Sequence, residues 1–106
     1  TGTTESVVEH AGVRVDLRKR RAFRGGDELP LTRRELDLLA RLAKARGVVV
    51  AREVLLEELW GQDTPEAAAS LEVIVSRLRR KLATGEGSSL VRNVRGVGYA
   101  LDEADR

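Results

Sequence analysis

Residues 70–82 read SLEVIVSRLRRKL, and the way this run folds decides the rest. On a helix at 100° per residue, Leu71, Val75, Leu78 and Leu82 fall within about 60° of one another, with Ile74 on the shoulder. Val73, Ser76, Arg77 and Arg80 point the opposite way, and Arg79 and Lys81 occupy the two flanks. An outward face with small groups near its start and arginines near its end suits a DNA major groove. There Arg pairs bidentately with guanine and Val touches a thymine methyl. The same pattern also describes an ordinary surface helix with a solvated basic face, which is the commoner case.

The chain of 106 residues is long enough for one domain with a modest core. One Phe, one Trp and one Tyr leave that core to Leu, Val and Ala, and the absence of cysteine excludes disulfides and thiolate chemistry. No apolar run approaches the ~18 residues of a membrane span, and no signal-peptide pattern opens the sequence, so a cytoplasmic location is expected. Charge is unevenly placed. Between Ser76 and Arg95 lie six cations (Arg77, Arg79, Arg80, Lys81, Arg92, Arg95) and one acid, Glu86. That segment carries +5, which leaves −3 for the remainder of a chain whose net charge is +2. One basic end is the electrostatic footprint expected of nucleic-acid binding, although an acidic protein or anionic membrane would also be attracted.

Outward from the central run, residues 1–6 are polar and read as a linker stump or disordered start. Four short β-like pieces follow at 7–9, 13–17, 21–24 and 28–31, with Ala11-Gly12 and Gly25-Gly26-Asp27 as turns, a pattern that suits an antiparallel meander. The cations Arg18-Lys19-Arg20-Arg21 sit at a turn of this meander with Asp16, Asp27 and Glu28 nearby, which favours a solvated turn. Thr32 and Glu35 form a capping box opening the first helix, and Leu31 with Leu36 sits at the staple positions. Leu36, Leu39, Leu42 and Ala43 make its buried stripe, with Leu38 close by, and Gly47 is expected at the C′ position. Residues 48–50 read as an extended link. A second helix at 52–60 carries Leu55, Leu56 and Leu59 inward and ends at Gly61. The third helix begins either at Pro65, after a Thr64 cap, or at Ser70 if 66–69 belongs to the loop. It is expected to end around 83–85, with a turn at 87–89. A strand at 90–94, a tight turn at 95–98 and a returning strand at 99–101 form a hairpin, and 102–106 is an acidic tail. Helix two, turn and helix three make a helix-turn-helix, with the hairpin as its wing.

Three segments then resemble the DNA-binding effector domain of OmpR/PhoB-family response regulators. Residues 31–39, LTRRELDLL, are like the family's L-T-x-x-E-x-x-L-L, and residues 55–61, LLEELWG, are like its L-L-x-x-V-W-G. Residues 75–82, VSRLRRKL, with residues 94–99, VRGVGY, are like I-x-R-L-R-x-K-L … V-R-G-x-G-Y. The resemblance covers residues 7–101 in order and spacing. It implies an α+β winged helix-turn-helix fold, with an N-terminal four-stranded antiparallel sheet, three helices and a C-terminal β-hairpin wing. It also implies sequence-specific binding of double-stranded DNA as the output domain of a two-component transcriptional regulator.

By the same resemblance Val73 and Arg77 face bases in the major groove and Arg95 enters the minor groove. Trp60, Ser70, Ser76, Arg79, Arg80 and Tyr99 meet the phosphate backbone. The implied partners are direct DNA repeats bound by head-to-tail pairs of a free monomer, RNA polymerase through the 62–69 loop, and a preceding receiver domain with its sensor kinase. Departures from the pattern fall at Ala69 and Ser70, where relatives carry Arg-Thr, and at Glu72, where they carry Asp. Ile74 replaces a more polar residue, and Ala51 replaces the usual Ser or Thr cap of helix two, weakening that end by about 1 kcal/mol. No metal, cofactor or catalytic motif is expected: the single His10 has no ligand spacing around it and no phosphate-loop or nucleophile-elbow pattern occurs. The rival reading is a winged-helix protein-interaction module that docks on an acidic partner or RNA polymerase.

Overall fold

Residues 6–82 and 90–102 are described in the computed structural model of the chain. Residues 1–5 of the expected linker at 1–6, the helix end and turn at 83–89, and residues 103–106 of the expected tail at 102–106 lie outside the described residues. Strands β1 (Val7–His10), β2 (Val13–Asp16), β3 (Arg21–Arg24) and β4 (Asp27–Glu28) form the four-stranded antiparallel meander in simple order. Two-residue turns join its outer pairs, because His10 faces Val13 and Arg24 faces Asp27. Both turns need positive φ at each central residue, supplied by Ala11 (55°) and Gly12 (79°), and by Gly25 (59°) and Gly26 (93°). The expected fourth strand at 28–31 is shorter than its pattern. Its ladder extends only to Leu29, whose N–H donates to Ala22 O at 2.8 Å; Pro30 has no N–H to continue it.

Helix α1 (Arg33–Lys44) opens on the capping box in full, with Glu35 N–H donating to Thr32 Oγ1 at 3.3 Å and Thr32 N–H to Glu35 Oε1 at 2.9 Å. Its end differs from expectation by one residue. Ala45 is the C-cap, so Arg46 (φ 52°) takes the C′ place, followed by Gly47 (φ 92°). The second helix is α-helical over α2 (Arg52–Leu55) and then widens into a π-helical turn over Leu56–Trp60, closed by left-handed Gly61. Ala51 provides no side-chain cap, as its identity requires. Helix α3 runs over Pro65–Leu82, which resolves its start: Ala67 N–H donates to Thr64 Oγ1 at 3.1 Å, and Pro65 takes the first helical position. The segment 62–69 is therefore loop only up to Thr64.

The link at 48–50 does more than connect. Val50 and Ala51 form strand β5 (Val50–Ala51), which pairs with the returning strand of the hairpin, so β6 (Val91–Val94) and β7 (Gly98–Leu101) belong to a three-stranded sheet ordered β5-β7-β6. Gly98 explains the close pairing. A Cβ there would lie 1.9 Å from Val50 O, so Gly98 is needed for space, while Gly96 (φ 76°) is the glycine that the turn itself requires. The core lies where the meander, the helices and β7 meet. Leu38, Leu39, Leu42, Leu55, Leu56, Leu71, Leu78, Leu82 and Leu101 are fully buried there. The inward stripe of α3 anticipated from the sequence (Leu71, Ile74, Val75, Leu78, Leu82) is buried, and Ala67 joins it. The architecture is the expected α+β winged helix-turn-helix.

Candidate nucleic-acid interface

Helix α3 has its buried stripe on one side and Ala69, Glu72, Val73, Ser76, Arg77 and Arg80 exposed on the other. Val73 is an apolar residue left 47% exposed beside Arg77, so burial on the domain does not account for it. Arg77 and Arg80 take part in no hydrogen bond or ion pair among the described residues, so both guanidinium groups face solvent unspent.

The two flanking cations behave differently. Arg79 is half-buried and its Nε donates to Val91 O at 3.0 Å, tying α3 to the first strand of the wing. Lys81 Nζ donates to Glu35 Oε1 at 2.7 Å and to Pro30 O at 2.8 Å. Glu35 is completely buried. Burial pushes its carboxyl up, but the Lys81 ammonium and the Thr32 hydrogen bonds outweigh that, and the net shift is downward. From the meander, the Arg24 guanidinium donates to Leu82 O, placing a cation at the negative end of the α3 dipole. Three long-range ties thus fix the carboxyl-terminal half of the helix. Sequence reasoning placed Arg79 and Lys81 on the flanks without these partners, which lie 12 and 46 residues away.

Trp60 is half-buried at the end of the π turn, with the Arg34 guanidinium stacked 4.5 Å from its ring centroid and donating to Leu59 O. Its indole N–H has no hydrogen-bond partner among the described residues. The Trp60 signal was legible in sequence; the supporting Arg34 was not, because a cation–π pair across 26 positions has no local signature.

Tyr99 sits between α3 and the wing in a groove shared with Arg52, Glu72, Asn93 and Arg95. Burial, and after it the Glu72 carboxylate, lift the Tyr99 phenol above its ordinary range, while Arg52 and Arg79 pull the other way. The phenol is therefore a protonated donor at neutral pH. Arg52 and Asn93, overlooked as site residues, reach this groove because Arg52 follows β5 directly and its N–H donates to Val97 O at 2.9 Å. Arg95, Gly96 and Val97 form the exposed wing tip. Of the nine residues anticipated for the interface, Val73, Ser76, Arg77 and Arg80 share the exposed face of α3, and half-buried Ser70 lies near its start. Arg95 projects from the wing, Tyr99 lies in the groove between the two, Trp60 lies at the end of the preceding helix, and Arg79 turns inward.

Among the described residues no three His, Cys, Asp or Glu side chains are grouped so as to hold a metal ion. No helix of the described residues is long and apolar enough to cross a membrane.

The comparisons with known proteins agree with the fold. The family described as "Transcriptional regulatory protein, C terminal" matches residues 26–101. The transcriptional regulatory protein PrrA of Mycobacterium tuberculosis is 42% identical over 102 residues, which are 95% of this chain and 44% of the relative. The chain thus spans less than half the length of that relative. Among solved structures, the DNA-binding domain of CpxR from E. coli matches with a TM-score of 0.81 and 30% identity, covering 95% of this chain and all of that one. The DNA-binding domain of Klebsiella pneumoniae RstA, solved in complex with the RstA box, matches with a TM-score of 0.80 and 27% identity, over 92% of this chain and 98% of that one.

Proposed function

The chain belongs to the OmpR/PhoB family of response regulators as a C-terminal winged-helix DNA-binding domain, a non-enzymatic transcription-regulating module, and on that premise we propose how it engages its duplex. Helix α3 enters the major groove and the wing reaches the adjacent minor groove. Arg77 pairs bidentately with a guanine, Val73 packs on a thymine methyl, and Arg95 follows the negative potential of a narrowed minor groove. Arg80, Ser70, Ser76, the Trp60 indole N–H and the Tyr99 hydroxyl supply backbone contacts, the last two as donors aimed at phosphate oxygens.

The observation that carries this reading is the split of α3. Its inner residues and inner cations are consumed by the domain, whereas Val73, Ser76, Arg77 and Arg80 form one exposed stripe with no side-chain hydrogen bond or ion pair among the described residues. Direct repeats occupied head to tail by a protein that is monomeric when free fit this arrangement, with a receiver domain and sensor kinase acting upstream in the full-length regulator. Contact with RNA polymerase through exposed Gln62 and Asp63 is a compatible second role, and the cytoplasm is the compartment where such a duplex is met.

Selection of bound sequences from random duplexes tests the proposal. The wild-type domain is expected to enrich one motif containing a G·C pair, and Arg77→Ala to relax that position at a cost of about 1–3 kcal/mol. The slope of log K against log salt is expected near −4 to −6, for roughly five or six neutralised phosphates. A salt-insensitive interaction, or an unchanged motif with Arg77→Ala, argues instead for a protein-docking module.

A further inference from the structure

The bond from Arg79 to Val91 lies between the two elements that meet DNA, and it accounts for a cation that the exposed stripe does not use. Leu90 O accepts from Asp102 N–H at 2.8 Å across the hairpin. In an antiparallel ladder the groups of the next residue point the other way. The Val91 carbonyl is therefore turned away from β7, toward α3, where Arg79 Nε meets it at 3.0 Å. Val91 itself is fully buried and begins the strand that leads to Arg95. On its far side the hairpin is held by β5 and by Arg52 N–H on Val97 O. On the near side, the side of helix α3, the Arg79 bond ties helix to wing.

We propose that Arg79 is a positioning residue: it serves DNA binding by holding the wing at the distance from α3 that lets Arg95 enter the minor groove while Arg77 is in the major groove. This rests on the two-groove reading above and assigns Arg79 a role other than the phosphate contact implied by the family pattern. The argument is geometric. A guanidinium donating through Nε has its planar fork oriented by that bond, and the residue is half-buried, so it is committed to the junction before any duplex arrives. Arg77 and Arg80, with no such partner, are placed to contact DNA directly.

The substitution that isolates the bond is Arg79→Gln, because the Gln amide nitrogen occupies the chain position of Arg Nε and keeps a donor for Val91 O while removing the charge. Arg79→Met keeps an unbranched stem of similar reach and removes the donor. Wild type, both variants, Arg95→Ala and the Arg79→Met/Arg95→Ala pair are titrated by fluorescence anisotropy against two duplexes. These share the selected major-groove site and differ only in having A·T or G·C pairs where the wing falls. Arg95→Ala is expected to reduce the preference for the A·T duplex at least about fivefold.

The proposal expects Arg79→Met to lose that preference to the same degree, the double variant to be no worse than either single one, and Arg79→Gln to retain wild-type preference and near wild-type affinity. Equal weakening of both duplexes by Met and Gln alike, multiplying with Arg95→Ala, overturns it in favour of a phosphate anchor. Loss of the folded state in Arg79→Met but not Arg79→Gln, read by circular dichroism, also overturns it, since the bond then holds the domain and not the wing. If instead no duplex site is selected, or Arg77→Ala leaves the motif intact, the DNA-binding reading fails first and independently.

Discussion

Two cation-rich stretches, Arg18-Lys19-Arg20-Arg21 and Arg77 with Arg79-Arg80-Lys81, are placed differently by the fold. In the first, Arg20 pairs with Asp37 at 2.8 Å and Arg21 with Glu28 at 3.7 Å. Asp16 closes the turn by accepting from Lys19 N–H at 3.0 Å and Arg18 N–H at 3.1 Å. The Lys19 bond leads the causes that hold the Asp16 carboxyl below its ordinary range. In the second run, helical geometry sorts the charges by angle. Arg79 and Lys81 turn to the body and find a carbonyl and a buried carboxylate, while Arg77 and Arg80 face out with no partner among the described residues. A cation count treats these runs as alike. What separates them is where the fold puts them: the first is gathered at a turn with Asp16, Asp37 and Glu28 close by, whereas the outward cations of the second, Arg77 and Arg80, share one helix face without an ion pair among the described residues.

The largest expected effect comes from the inward part of the second run. Removing the Lys81 ammonium leaves the Glu35 carboxylate buried with no cation, and Glu35 Oε2 already has no hydrogen-bond partner among the described residues. Breaking a buried ion pair costs about 3–5 kcal/mol. Lys81 is 29% exposed, which puts Lys81→Met near the lower end, about 3 kcal/mol by urea denaturation. The pH dependence follows the same pair. The Glu35 carboxyl is lowered in the folded state, so fewer protons are bound there than in the unfolded chain. Its stabilisation is fully present above the unfolded Glu value, about 4.3, and is lost as pH falls through the folded one. Wild type is expected to lose stability over that acidic window, and Glu35→Gln to show a shallower decline. Identical pH profiles would mean that other carboxylates control acid unfolding.

That pair also marks the limit of what the sequence displays. Thr32 and Glu35 announce a capping box because both partners lie within one turn of helix, and the box is present. The turns at Ala11-Gly12 and Gly25-Gly26 are legible for the same reason. The inward stripe of α3 is legible because periodicity is a local property. The second use of Glu35, as the counter-ion of Lys81, spans 46 residues and has no periodic trace. Strand β5 is two residues long, too short for alternation, and exists only because β7 lies beside it. Gly98 looks like a turn residue beside Gly96 until the Val50 backbone is seen crossing it. The site divides the same way: residues defined by helical angle, Val73, Ser76, Arg77 and Arg80, were readable, whereas Arg52, Arg34 and the inward bond of Arg79 depend on tertiary neighbours.

The outward part of the second run gives an intermediate effect. Arg80→Ala is expected to weaken binding to every duplex by a similar factor and to reduce the salt slope by about 1, since the proposed docking has it neutralise phosphate without reading a base. Its thermal stability should stay near wild type, because the side chain is exposed and has no partner to lose. A change in the selected motif would move Arg80 into the base-reading set and blur the division between Arg77 and its neighbour.

The smallest effect should come from the first run, and it is the sharpest check on the comparison. Arg20 and Asp37 are a pair with 45% and 34% of their side chains exposed, so Coulomb attraction is weakened by water and offset by the entropy of holding two side chains. Arg20→Ala is expected to cost under about 1 kcal/mol of stability. On DNA it should change neither affinity nor the salt slope measurably, because it removes a charge that Asp37 already compensates, from a turn of the meander and not from α3 or the wing. If Arg20→Ala lowered the slope as Arg80→Ala does, charge number would matter more than pairing, and the meander would have to be counted among the surfaces that meet the duplex. If it left the slope unchanged while Arg80→Ala lowered it, two cations of equal formal charge would differ in effect through where the fold places them and their nearest carboxylates.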